Sequence, residues 1–189
     1  QRITYLDEGD WAVITSAGAA IHDADGNPVK REIRSTALSG ALIGKAGYRH
    51  FMLKEIYEQP QVIGDTLRSY VNPKSRDVTL PNLTEAIVQA PRMTLVACGT
   101  AFYACMVAKY WLERIARVPC EIDVASEFRY RAADMPKGGV ALVVSQSGET
   151  ADTLAALRYA KQHGQHVVAV VNSPESTIAR ESDTVLQTL

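Results

Sequence analysis

The chain has 189 residues, 47% of them hydrophobic and 22% charged, which supports one core of ordinary domain size with a smaller attached piece and excludes a disordered tail. Its 20 Lys and Arg against 21 Asp and Glu leave a net charge of -1, so no global field draws it to nucleic acid or to an acidic membrane. No apolar run approaches the roughly 20 residues that span a bilayer and the N-terminus has no signal-peptide core, so a cytoplasmic protein is expected.

In chain order, Trp11 to Thr15 alternates like a strand, and Asp25-Gly26 sits between Ala19 to His22 and Val29 to Ile33 as a hairpin signal. This predicts a small antiparallel piece too short to be stable alone. Ser39 to Gly47, with Gly40 and Gly44 among small residues, reads as a linker. The start at Gln1 without a targeting segment is what a fragment of a longer chain would show. Tyr48 to Tyr70 carries Phe51, Met52, Ile56, Val62, Ile63 and Leu67 at helical spacing, and Pro60 predicts a helix, a break and a second helix. Asn72 to Asp77 is a polar loop, and Leu83 to Gln89 a short helix.

From Met93 the pattern alternates. Strands are predicted at Met93 to Ala97, Cys120 to Ala125, Val140 to Val144, Val167 to Val171 and Thr184 to Leu189, with helices at Ala101 to Ile115, Ala151 to Gln162 and near Ser176 to Glu181. That order describes a parallel sheet with helical crossovers. Phe102, Val107, Tyr110, Trp111, Arg114 and Ile115 form a broad stripe that reads as core packing, although Tyr103, Tyr110 and Trp111 suit a partner surface as well.

Two strand ends carry the chemistry. Ser145-Gln146-Ser147-Gly148-Glu149-Thr150 joins an apolar strand to a helix, and Cys98-Gly99-Thr100 does the same upstream. Hydroxyl residues and a glycine at a helix start put backbone N–H groups and the positive dipole end at one point, which suits a phosphate. Ser145, Ser147 and Thr150 can donate hydroxyl bonds, Gln146 an amide, and Gly148 lets backbone approach closely. A plain serine-rich N-cap explains the same residues, but the uncharged strand points to the carboxyl edge of a buried sheet, where ligands of open α/β folds bind. Glu149 reads as a helix N-terminal acid rather than a catalytic carboxylate. Cys98, Cys105 and Cys120 show no metal spacing and no disulfide is assigned; Cys98 reads as a small filler of its turn rather than a nucleophile. His163 and His166 flank a helix-to-strand turn and no metal site is expected.

The stretch Ser145 to Leu154 with Cys98-Gly99-Thr100 resembles the sugar isomerase (SIS) domain, a flavodoxin-like fold that binds phosphosugars. "YRHFMLKEIYEQP" at Tyr48 to Pro60, "ASEFRYR" at Ala125 to Arg131 and "LDEGDWAVI" from Leu6 resemble the glucosamine-6-phosphate synthase family. The resemblance implies a flavodoxin-like three-layer α/β/α parallel sheet with a small N-terminal antiparallel β remnant. Residues 1-47 would be the end of a glutaminase domain with its linker, 48-82 a helical connector and 83-189 the SIS domain. It also implies a phosphate site of Thr100, Ala101, Ser145, Gln146, Ser147 and Thr150, with Ala101 standing where the family often has serine. Fructose 6-phosphate and glucosamine 6-phosphate are the expected ligands, and a glutaminase domain and a second SIS domain of the parent chain the expected partners. A homodimer is expected, with no organic cofactor and no metal. The family's catalytic groups would lie outside this stretch, so no catalytic residue is expected here. A sugar-phosphate sensor, or another SIS isomerase or deglycase, are the alternatives.

Overall fold

The computed structural model describes residues 2–35, 44–80 and 84–189; most of the predicted linker, and Leu83 of the predicted short helix, lie outside them. The chain divides into two compact units, Gln1–Lys54 and Glu55–Leu189.

In the first unit, β1 (Arg2–Thr4) pairs antiparallel with β5 (Ile33–Ser35), while β2 (Trp11–Thr15), β3 (Gly18–His22) and β4 (Pro28–Val29) form a three-stranded antiparallel sheet. The single strand expected over Val29 to Ile33 is therefore split between two sheets. Asp23 builds the turn before β4 by accepting the N–H groups of Asp25 and Asn27 at 3.0 and 2.8 Å, an Asx arrangement. Just beyond β4, Arg31 clamps the Asp10 carboxylate with Nε at 2.7 Å and Nη2 at 2.8 Å.

Helix α1 (Phe51–Tyr70) runs unbroken through Pro60, against the expected break. Proline removes one N–H donor but its fixed φ is helical, and on a helix with no buried residue water can serve the carbonyl left without its partner. The loop that follows is pinned by the Asn72 carboxamide, whose Oδ1 accepts from Lys74 N at 2.9 Å, and closed by an antiparallel bridge between Val71 and Val78.

The second unit holds α2 (Glu85–Val88), β6 (Met93–Ala97), α3 (Gly99–Trp111), β7 (Cys120–Val124), α4 (Ala125–Phe128), β8 (Val140–Ser145), α5 (Ala151–Gln162), β9 (His166–Val171), α6 (Thr177–Glu181) and β10 (Thr184–Gln187). The five strands form one parallel sheet in the order β7-β6-β8-β9-β10, the 2-1-3-4-5 order of flavodoxin-like folds. The alternation of the strands sorts their side chains between two faces. Val96, Ala141, Val143, Val167, Ala169 and Val171 pack with Phe128, Ala156, Leu157, Ala160 and Ile178 of α4, α5 and α6. On the other face, Leu95 and Ala97 meet Cys105 of α3, and Val140 and Val168 meet Ile87 of α2. Phe128, fully buried and set edge-on to Tyr159 at 5.6 Å, is the largest fully buried side chain among the described residues; such a side chain contributes about 1.5 to 3 kcal/mol by burial.

The stripe expected to be core is so only at Phe102, which packs against the core, while Val107, Tyr110, Trp111 and Ile115 lie outside it. Trp111 is 63% exposed, Tyr110 68% and Ile115 76%. The inward face of α3 carries Ala101, Phe102, Cys105 and Ala108, with Leu112 just beyond its end, at the helical spacing that lays the helix on the cluster around Leu95 and Ala97. The helix widens into a π turn over Leu112–Ala116 rather than continuing regularly to Ile115.

Candidate functional site

The sheet order places a topological switch point between β6 and β8, because the chain leaves β6 for α3 on one face and β8 for α5 on the other. The loops after these two strands border a cleft of about 310 Å³ lined by Cys98, Gly99, Thr100, Ala101, Val144, Ser145, Gln146, Ser147, Thr150 and Thr153. The residues predicted from sequence, Thr100, Ala101, Ser145, Gln146, Ser147 and Thr150, all line it.

Each is held differently. Ser145 ends β8 in register with Val171 and is buried; its Oγ accepts the Gly148 N–H at 3.1 Å and lies 3.0 Å from Thr150 Oγ1. Ser147 is exposed and its Oγ accepts the Glu149 N–H at 3.2 Å. Two of the loop's amides are therefore used inside the loop, not left for a ligand. Gln146 is tied to the end of β9: its carbonyl accepts the Asn172 N–H at 3.2 Å, and its side-chain amide lies 3.5 Å from Asn172 Oδ1. Thr100 is exposed in the first turn of α3, and Ala101 turns its methyl toward the cluster around Leu95 and Cys105.

The donors available at the cleft come from the two helices. Neither Cys98 before α3 nor Thr150 before α5 makes a side-chain capping bond, so the first-turn N–H groups of both helices are uncapped by their N-cap residues at this end. Helix α6 provides the contrast, since Ser176 Oγ accepts the Ala179 N–H at 3.4 Å. No lining residue is charged. An anion here would meet two positive dipole ends, amide donors and hydroxyls rather than a lysine or arginine.

Two neighbours differ from the sequence reading. Gly148 has φ +68, and a Cβ built on it would lie 1.9 Å from Ser176 Oγ and 2.4 Å from Ser176 Cβ. Its lack of a side chain admits Ser176 at the start of α6. Glu149 reaches across to accept the Thr177 N–H at 2.7 Å, so it serves the start of α6, not of α5. Together with the Ile178 N–H donating to the Gly148 carbonyl at 3.0 Å, these contacts bolt the loop to α6.

Cys98 is half-buried and packs against the core beneath the cleft, as a filler does. Burial pushes the Cys105 thiol up to about 11, so it stays protonated at neutral pH. Among the described residues no group of three or more His, Cys, Asp and Glu is placed to hold a metal, and no helix is long and apolar enough to cross a membrane. Sequence reading missed Thr153, which lies fully buried in the cleft wall; its signal was the i+3 spacing from Thr150, which stacks the two on one helix face.

A parallel 2-1-3-4-5 sheet with a hydroxyl-lined cleft at its switch point matches a known domain class: residues 86–189 match the family model described as SIS domain, and the chain belongs to that family. Over 99% of its length it is 59% identical to the glutamine–fructose-6-phosphate aminotransferase [isomerizing] of Bradyrhizobium diazoefficiens, and over 100% of its length 53% identical to that of Zymomonas mobilis. It spans 31% of the length of each of these relatives. Among solved structures it is similar to the C-terminal domain of glucosamine-fructose-6-phosphate aminotransferase from Francisella tularensis, with a TM-score of 0.71 and 40% identity over 77% of this chain and 41% of that one.

Proposed function

We propose that this chain is the phosphosugar-binding segment of an enzyme that converts fructose 6-phosphate and glutamine to glucosamine 6-phosphate and glutamate. The observation that carries the reading is the convergence of two uncapped helix N-termini on an uncharged cleft ringed by hydroxyls and one amide, in a chain whose relatives are named as aminotransferases acting on fructose 6-phosphate. In this reading the sugar's phosphate lies between α3 and α5. Thr100, Ser147 and Thr150 offer hydroxyl donors, Gln146 its amide, and Ala101 its backbone N–H. Charge-assisted bonds to a dianion are stronger than neutral ones, so the phosphate anchors the sugar and leaves carbons one and two to groups elsewhere in the parent chain. A glutaminase domain supplies ammonia and a second SIS domain supplies the acid–base groups. The parent acts in the cytoplasm as a homodimer, without metal or organic cofactor, and this segment contributes positioning.

Titration calorimetry of the chain with fructose 6-phosphate, with fructose as control, tests the reading. Heat from the phosphorylated sugar alone is expected. Replacing both Ser147 and Thr150 by alanine should weaken binding by about 1 to 3 kcal/mol, since two donors to a charged group are lost. Equal binding of fructose, or no effect of the double substitution, would place the ligand elsewhere.

A further inference from the structure

The Thr153 hydroxyl lies in the cleft wall and is not used by the proposed phosphate site. The residue is 0% exposed and its Oγ1 has no hydrogen-bond partner in the protein. A threonine inside a helix ordinarily returns its hydroxyl bond to a carbonyl of the preceding turn, here near Glu149, and Thr153 does not. The neighbouring hydroxyls are engaged: Ser145 Oγ with Gly148 N and Thr150 Oγ1, and Ser147 Oγ with Glu149 N. Thr153 is the third residue of α5, and helical Cα–Cβ bonds tilt toward the N-terminus, which sets its side chain beneath Thr150 at the inner wall of the cleft.

An orphaned hydroxyl in a packed interior is a standing cost, and isosteric valine would remove it. We infer that Thr153 is a further anion-binding residue of this cleft, its hydroxyl donating to an oxygen of the bound phosphate from below while the first-turn amides of α5 donate from the side. The inference rests on the phosphate reading above. It adds a group at the bottom of the site, where a donor shielded from water is worth more than one at the rim.

The test is calorimetric titration of fructose 6-phosphate into the 189-residue chain and its Thr153→Val, Thr153→Ser and Ser147→Ala variants, with thermal melts of each without ligand. Thr153→Val should bind about tenfold more weakly while melting no lower than the unsubstituted chain, because valine keeps the volume and drops the orphaned group. Thr153→Ser, which keeps the hydroxyl, should bind within about threefold of the unsubstituted chain whatever stability its lost methyl costs. A residue that only packed would show the reverse, affinity following stability. The inference is overturned if Thr153→Val binds as the unsubstituted chain does while Ser147→Ala weakens binding, which leaves the phosphate reading intact. Should the unsubstituted chain and every variant fail to bind fructose 6-phosphate, the phosphate reading and this inference fall together.

Discussion

Gly148→Ala separates two reasons for a glycine in the Ser145–Thr150 loop: freedom of φ, and room for a neighbour. At φ +68 an alanine pays the left-handed penalty of about 1 to 2 kcal/mol. Its methyl would also fall 1.9 Å from Ser176 Oγ and 2.4 Å from Ser176 Cβ, distances no packed carbon tolerates, so Ser176 must move. Ser176 Oγ caps α6 and also donates to the Ser173 carbonyl at 2.8 Å, and losing such a cap costs about 1 kcal/mol. Adding a repacking term, the substitution should cost about 3 to 5 kcal/mol. Gly164 supplies the control, because its φ is +69 and nothing lies within 4 Å of the place an alanine methyl would take, so Gly164→Ala should show the conformational term alone, about 1 to 2 kcal/mol. Urea unfolding followed by circular dichroism measures both. Combining Gly148→Ala with Ser176→Gly should recover at least about 1 kcal/mol relative to additivity. Equal losses for the two alanine variants would refute the close approach of α6 as the reason for the glycine.

Other expectations follow from the same packing. Phe128→Ala should cost about 3 to 5 kcal/mol in urea unfolding, whereas Trp111→Ala should stay within about 0.5 kcal/mol, because only the first side chain is buried. On iodoacetamide treatment, followed by mass spectrometry, Cys98 should be labelled before Cys105, whose thiol is buried and pushed up to about 11. Asp183 is subject to burial, which raises its pKa, but the Val167 N–H and Lys161 outweigh burial and hold the carboxyl below its ordinary value; Glu181 is likewise held low, chiefly by its bond to Arg158. A depressed folded pKa stabilises above the unfolded value and is lost on acidification, so the stability gap between the unsubstituted chain and Asp183→Asn should be full at neutral pH and close as pH falls below about 4. A gap that stayed constant down to about pH 3 would show that the carboxylate's charge contributes nothing.

The amino-acid sequence alone determined the strands of the parallel sheet, the crossover helices and the two loops at strand ends, because hydrophobic period and turn chemistry are properties of neighbouring residues. Val140 to Val144 lies in the strand its apolar run predicts, and Ala151 to Gln162 forms the helix its spacing predicts. Tertiary structure decided what depends on distances between remote segments. It turned the face of α3 that carries Ala101, Phe102, Cys105 and Ala108 inward and left Trp111 and Tyr110 outside. It carried α1 through Pro60, gave Glu149 to Thr177, and set Ser176 against Gly148. It also buried Thr153 without a partner at the cleft wall. A hydroxyl on a helix or a glycine in a turn carries no mark of its neighbour in space; only folding brings α6 onto the loop and α5 onto the sheet, and with them the contacts that give those residues their work.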